Sequence, residues 1–70
     1  GENKIRNILK KLRKQRGLTQ KEIAKLLEVS RQTVISIENE HRNPSLELAL
    51  KISETFDKPI DKIFKLEGSK

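Results

Sequence analysis

Two short helix-forming segments separated by about three residues constrain the fold of this chain more than any other feature. The letters TQKE fit a capping box, in which the Thr19 hydroxyl accepts from the third amide of a helix and Glu22 reaches back to the cap. Ser30 is the next good N-cap. These caps predict one helix from about Gln20 to Leu27 and another from about Arg31 to Asn39.

The side chains of these two segments suit a close, steep packing of the helices. A small residue is required where the two backbones approach, and Ala24 stands at that place. Val29, Val34 and Ile37 are spaced to hold the second helix against a core. Two short helices with this spacing and this turn have the layout of a helix-turn-helix.

Apolar residues at helical spacing predict three further helices. The first extends from Lys4 to Arg16 and stops at Gly17, which can adopt the left-handed conformation that ends a helix. Ser45 caps the fourth, and a short fifth follows the break at Lys58-Pro59. The apolar residues expected on the inner faces of these three helices are Ile5, Ile8, Leu9, Leu12, Leu46, Leu48, Ala49, Leu50, Ile52, Phe56, Ile60, Ile63 and Phe64.

We therefore expect an all-α fold, a compact bundle of five helices in a single domain over residues 4–66, with tails at 1–3 and 67–70. The alternation FKLE that begins at Phe64 favours a short C-terminal strand. A chain of 70 residues buries only about 60% of the surface that its unfolded form exposes, so its stability is expected to be modest.

The charge balance indicates a polyanionic partner. Sixteen Lys and Arg against ten Asp and Glu give a net charge of +6 and a pI near 9.9. The chain has no cysteine and one histidine, His41, so we expect no disulfide, no metal site and no cofactor. No apolar run approaches the roughly 18 residues that a membrane span needs. We expect a cytoplasmic protein that contacts no membrane and has no small-molecule ligand.

The chain resembles the Cro and phage-repressor family of helix-turn-helix proteins, also called Xre-like, in the segments LRKQRGLTQKEIAKLLEVS, RQTVISIE and NPSLELALKI. The match extends from about Ile5 to Phe64, and the LEVSRQT and NPS segments look closest to the small cytolysin-repressor type of bacterial regulator. This resemblance implies a lambda-repressor-like fold and a sequence-specific transcriptional regulator, a repressor that binds a palindromic operator in double-stranded DNA as a homodimer. The family usually has glycine where this chain has Glu28 and Glu40, so both turns are expected to carry backbone strain.

Helical geometry predicts which side chains of the helix after Ser30 face outward. If its apolar residues are buried, Gln32, Ser36 and Asn39 lie on the opposite side, and Arg31 projects from the first turn. An ordinary solvated helix face would explain the same residues. The resemblance implies instead that this helix enters the major groove with Arg31, Gln32 and Ser36 reading bases, as arginine can pair with guanine and glutamine with adenine. It also implies DNA-backbone or supporting roles for Gln20, Ser30, Thr33, Asn39 and Arg42.

Other charged residues are not assigned to DNA. The resemblance implies that Arg13 and Glu38 form a structural ion pair between the first helix and the end of the third. Lys10, Lys11 and Lys14 lie off the apolar stripe and are expected to supply diffuse potential and solubility without individual contacts.

A dimer needs a surface away from the recognition helix, and Phe64 and Leu66 are the residues expected there. Packing of this C-terminal segment on the core of its own chain is the alternative. For the function, the alternative is an antitoxin-type interaction module that binds a partner protein. A membrane-surface or RNA-binding domain would explain the charge but not the spacing of caps and apolar residues. An enzyme is the weakest hypothesis, because the acids are scattered and no Gly-rich phosphate loop is present.

Overall fold

In the computed structural model, which describes residues 4–68, five helices lie between two short strands. In chain order the elements are β1 (Ile5–Asn7), α1 (Leu9–Gln15), α2 (Gln20–Leu27), α3 (Arg31–Glu38), α4 (Leu46–Phe56), α5 (Ile60–Ile63) and β2 (Phe64–Leu66). The five expected helices and the C-terminal strand are therefore confirmed. Residues 1–3 and 69–70 of the expected tails lie outside the described residues.

The two strands pair with each other and bring both ends of the described chain together. β1 runs antiparallel to β2, with Ile5 opposite Leu66. The Glu67 N–H extends this ladder by donating to the Lys4 carbonyl at 2.8 Å. The prediction that the first helix starts at Lys4 is wrong. Residues 5–7 form strand β1 instead, because β2 provides hydrogen-bond partners for their backbone groups.

Asn7 marks the change from strand to helix. Its side-chain Oδ1 accepts the Leu9 N–H at 3.0 Å and so satisfies one of the free donors at the start of α1. Its Nδ2 donates to the carbonyl of Ile37, on α3, at 2.9 Å. Helix α1 therefore begins at Leu9, and Asn7, two residues before it, is bonded to α3.

The predicted caps of the later helices are confirmed. Thr19 and Glu22 form the full capping box, with the Glu22 N–H donating to the Thr19 hydroxyl at 3.0 Å and the Thr19 N–H donating to the Glu22 carboxylate at 2.8 Å. Ser45 accepts the Leu48 N–H at 3.1 Å and caps α4. These contacts join residues only three apart, which is why local sequence could predict them.

Each helix contributes to one apolar core, formed by Leu9, Leu12, Ile23, Ala24, Leu27, Val34, Ile37, Leu48, Ala49, Ile52, Phe56, Ile63 and Phe64. Three residues expected on inner faces are exposed instead: Ile8 (38%), Leu50 (49%) and Leu46 (74%). The apolar residues expected on the inner face of α4 extend around more of the helix than the side that packs on the core. Leu46 and Leu50, four residues apart, lie together outside the buried arc.

Among residues 4–68, three non-glycine residues adopt a left-handed backbone conformation: Glu28 (φ 61°), Glu40 (φ 62°) and Asp57 (φ 51°). The positive φ expected at both glutamates is therefore confirmed. Asp57 was not singled out, although aspartate enters this region more easily than most residues. Gly17 (φ 68°) follows α1, as predicted.

Candidate nucleic-acid interface

Helix α3 turns Val34 and Ile37 to the core and the polar side chains of its first turn outward. Val34 and Ile37 are each 1% exposed. Arg31 and Gln32 are exposed at the start of the helix, and Ser36 is half-buried one turn further on. The structure thus places the first two expected base-reading residues where a partner can reach them, and it leaves Ser36 less accessible.

The turn before α3 sets the direction of the helix. The Val29 N–H donates to the Ala24 carbonyl at 3.0 Å, past the left-handed Glu28. The Ser30 hydroxyl then accepts the Thr33 N–H at 3.1 Å and lies 2.9 Å from the Thr33 hydroxyl. The side chains of Ser30 and Thr33 therefore fix the first turn of α3.

The turn after α3 is attached to β1 through Glu40. One carboxylate oxygen of Glu40 accepts the Asn7 N–H at 3.0 Å, and the other lies 3.0 Å from the Arg6 guanidinium. The Asn7 N–H holds the pKa of Glu40 below its ordinary value, with a smaller contribution from Arg6 and against the opposing effect of burial. The His41 N–H donates to the Ser36 carbonyl at 2.9 Å and closes the end of the helix.

A buried ion pair joins α1 to the last residue of α3. The Arg13 guanidinium lies 2.6 Å and 3.2 Å from the two carboxylate oxygens of Glu38, and the two side chains are 9% and 1% exposed. Arg13 also donates to the Leu18 carbonyl at 2.9 Å. The charge of Arg13 is therefore matched inside the protein, and three of its N–H groups have partners there.

Gln20 connects this buried pair to the exposed start of α3. Its Nε2 donates to Glu38 at 3.2 Å, and its Oε1 lies 3.5 Å from Nη2 of Arg31. A carboxylate can only accept hydrogen bonds and a guanidinium can only donate them. The amide nitrogen of Gln20 therefore faces Glu38, and its oxygen faces Arg31. Gln20 thus limits the directions in which the Arg31 side chain can extend.

Two clefts lie beside α3. The first, which we call the basic cleft, has a volume of about 630 Å³ and lies between α1 and the starts of α2 and α3. Its lining includes Lys10, Lys14, Gln20, Lys21 and Arg31. The second, the α3–α4 cleft, has a volume of about 410 Å³, and its lining includes Thr33, Arg42, Asn43 and Ser45. Polar and cationic side chains are therefore present on both sides of α3.

Within residues 4–68, no cluster of three or more His, Cys, Asp or Glu side chains is arranged to hold a metal ion. In the same part of the chain, no helix combines the length and apolar character needed to cross a membrane.

Residues 9–63 match the model of a protein family described as helix-turn-helix. The chain belongs to the Xre/Cro-like helix-turn-helix family. It is 48% identical over 60 residues to an uncharacterized HTH-type transcriptional regulator of Methanocaldococcus jannaschii, a match that covers 86% of this chain and 91% of that protein. It is 40% identical over 63 residues to the uncharacterized HTH-type transcriptional regulator YgzD of Bacillus subtilis, covering 90% and 96% of the two chains. The restriction-modification controller protein C.AhdI from Aeromonas hydrophila has a similar structure, with a TM-score of 0.70 and 33% identity over 77% of this chain and 82% of that one.

In this helix-turn-helix protein, two lysines of α1 lie closer to α3 than the sequence indicated. Lys10 and Lys14, which were expected to make no individual contact, line the basic cleft together with Gln20 and Arg31. Their spacing of four residues, which is visible in the sequence, places them on one side of α1. The sequence did not reveal where α1 packs, so it could not show that this side of α1 lies next to α3.

The dimer surface expected in this helix-turn-helix protein is only partly exposed. Contrary to that expectation, Phe64 does not present its ring at the surface: it is 8% exposed and belongs to the core. Leu66, two residues further along β2, is 52% exposed. The two side chains share one face of the strand, but Phe64 directly follows α5 and packs on the core, while Leu66 lies beyond its edge.

Proposed function

We propose that this helix-turn-helix protein is a sequence-specific DNA-binding transcriptional regulator that inserts the start of α3 into a major groove. The observation that carries the proposal is the exposure of Arg31 and Gln32 on a helix whose two ends are both fixed by hydrogen bonds. The named regulators among its relatives and the net charge of +6 support it. Binding of this kind needs no catalytic group.

The proposed base-reading side chains have suitable hydrogen-bonding groups. The Arg31 guanidinium can donate two N–H groups to O6 and N7 of a guanine, and the Gln32 amide can both donate and accept at an adenine. The contact with Gln20 uses one donor group of Arg31 and leaves the others available. Ser36 has a short, half-buried hydroxyl, so it would reach a base only where the groove approaches α3 closely.

The proposed backbone contacts and their supports surround α3. Arg42, exposed in the α3–α4 cleft, supplies a charge for a phosphate, and the exposed Asn39 supplies an amide at the end of α3. Ser30 and Thr33 support the first turn, while Gln20 holds Arg31. Such contacts position the protein on DNA without reading its sequence.

We further propose that the protein is a repressor that binds a palindromic operator as a homodimer. One recognition helix contacts only a few base pairs, whereas two copies related by a two-fold axis would read half-sites about 34 Å apart, or a multiple of that distance. In β2, the exposed Leu66 is the side chain available to a second copy, and Phe64 would support it from the core. Occupation of a promoter would then block transcription.

Selection of bound sequences from random duplex DNA tests this function. We expect the wild-type protein to enrich a palindrome whose half-site centres are about one helical turn apart, or a multiple of it. On that operator, Arg31→Ala and Gln32→Ala should each weaken binding by about 1–3 kcal/mol, and the loss on random DNA should be smaller, because the lost base contact is made only with the operator.

Arg42→Ala is the matched control, because it also removes one exposed arginine next to α3. We expect it to weaken binding to the operator and to random DNA by similar factors. Equal losses on the two DNAs for all three variants would contradict base reading by Arg31 and Gln32. Failure of the wild-type protein to enrich any sequence would contradict sequence-specific binding.

A further inference from the structure

Besides the proposed base reader Arg31, the basic cleft contains three lysines that base reading by α3 does not use. Lys10 and Lys14 come from α1, Lys21 from α2, and Arg31 from α3. We propose that Lys10 and Lys14 bind phosphates of the DNA backbone next to the bases that α3 reads. The DNA-contacting surface thereby extends beyond the helix-turn-helix pair onto α1. This inference rests on the proposed DNA-binding function and names a further part of the same interface.

The charges of this cleft are not neutralised by the described protein. Within residues 4–68, none of the four cations forms an ion pair, and no Asp or Glu lines the cleft. Arg13, which also borders it, is paired with Glu38. By contrast, Arg6 and Lys51 each contact two carboxylates. Four positive charges without an ion-pair partner among residues 4–68 therefore line one cleft beside the start of α3.

The geometry of α1 suits backbone phosphates. Lys10 and Lys14 are one turn apart on the same side of the helix, about 6 Å along its axis. Duplex DNA carries one charge per about 1.7 Å of its axis, so a helix beside the groove meets more than one phosphate. Lysine has a compact charge on a flexible stem, which adapts to phosphate oxygens without the fixed geometry that a base requires. Both lysines are exposed, so little desolvation opposes the contact.

The salt dependence of binding to random duplex DNA tests the assignment. In the double variant Lys10→Gln/Lys14→Gln, the slope of log K against log salt concentration should become shallower by about 1.8, because each phosphate contact contributes about 0.9. The ratio of operator affinity to random-DNA affinity should not change, since phosphate contacts do not read sequence. The matched control is Lys62→Gln/Lys65→Gln, which removes the same charge from α5 and β2, away from the basic cleft.

We expect the control pair to change the slope by less than about half as much, through the general electrostatic field alone. Equal slope changes in the two double variants would overturn the assignment and leave the DNA-binding function intact. A wild-type protein that does not bind duplex DNA would overturn the proposed function itself. If circular dichroism shows that the double variant is unfolded, the single variants decide the question, each with an expected slope change of about 0.9.

Discussion

The turns before and after α3 use the same unusual backbone conformation but differ in what the side chain does. Glu28 has φ 61° and Glu40 has φ 62°, at positions where the family usually has glycine. The Glu28 side chain is 77% exposed, and its contact with Lys51 is 3.5 Å long. The Glu40 side chain is 18% exposed and contacts the Asn7 N–H and Arg6, each at 3.0 Å. The contacts of the Glu40 side chain therefore offset the strain of its backbone. The Glu28 side chain makes one long contact and offsets much less of the strain at its position.

The difference between the two turns extends to the neighbouring residues. At the end of α3, the carboxylates of Glu38 and Glu40 attach the helix to α1 and β1, and Asn7 donates to the Ile37 carbonyl. Before α3, the fixed contacts are local ones around Ser30. The end of α3 is thus held by distant elements, while its start is capped locally and leaves the side chains of Arg31 and Gln32 exposed. Three predictions test this asymmetry.

The largest effect is expected from removing the buried carboxylate of Glu38, the last residue of α3. Glu38→Ala leaves the Arg13 charge buried without its partner, which typically costs about 3–5 kcal/mol of unfolding free energy. Urea unfolding followed by circular dichroism measures this loss. Glu54→Ala, an exposed glutamate of α4, removes the same charge and should change stability by less than about 0.5 kcal/mol. A similar small change for Glu38→Ala would show that the pair does not hold α3.

The same asymmetry explains which features the sequence could predict. The caps at Thr19, Ser30 and Ser45 join residues three apart, so the starts of α2, α3 and α4 were predictable. Strand β1 was not, because its partner β2 lies about sixty residues away and the local apolar spacing also suits a helix. The anchor between Asn7 and Glu40 depends on that strand and was missed with it.

The candidate site shows the same division between local and long-range information. The exposure of Arg31 and Gln32 followed from the helical period and was predictable. The place of Lys10 and Lys14 beside Arg31 depends on how α1 packs against α2 and α3, which no local pattern specifies. The burial of Phe64 likewise depends on how closely β2 follows α5 onto the core.

A smaller effect is expected when each left-handed glutamate is replaced by glycine. Glu28→Gly should stabilise the protein by about 1 kcal/mol, because glycine relieves the left-handed strain and little side-chain contact is lost. Glu40→Gly relieves the same strain but removes the acceptor of the Asn7 N–H, so it should stabilise less than Glu28→Gly or destabilise. Urea midpoints of the two variants give the comparison directly. Equal stabilisation at both positions would mean that the Glu40 carboxylate contributes nothing.

The smallest effect is expected from the charge of Glu40 alone. Glu40→Gln keeps a left-handed non-glycine residue and removes only the ionised carboxylate, so it separates charge from backbone strain. Because the Asn7 N–H lowers the pKa of Glu40 in the folded protein, the stability contributed by the carboxylate is fully present above its unfolded pKa of about 4.3. It is lost as pH falls through the folded pKa. The wild-type protein should therefore be more stable than Glu40→Gln near neutral pH, and this difference should shrink below about pH 4.3 in urea unfolding series.

The pKa of Glu22 is also lowered, by the Thr19 N–H and then by the Thr19 hydroxyl, but that pH dependence is common to both proteins and cancels in the difference. A difference that stays constant from pH 6 to pH 3 would assign the role of Glu40 to its shape rather than to its charge.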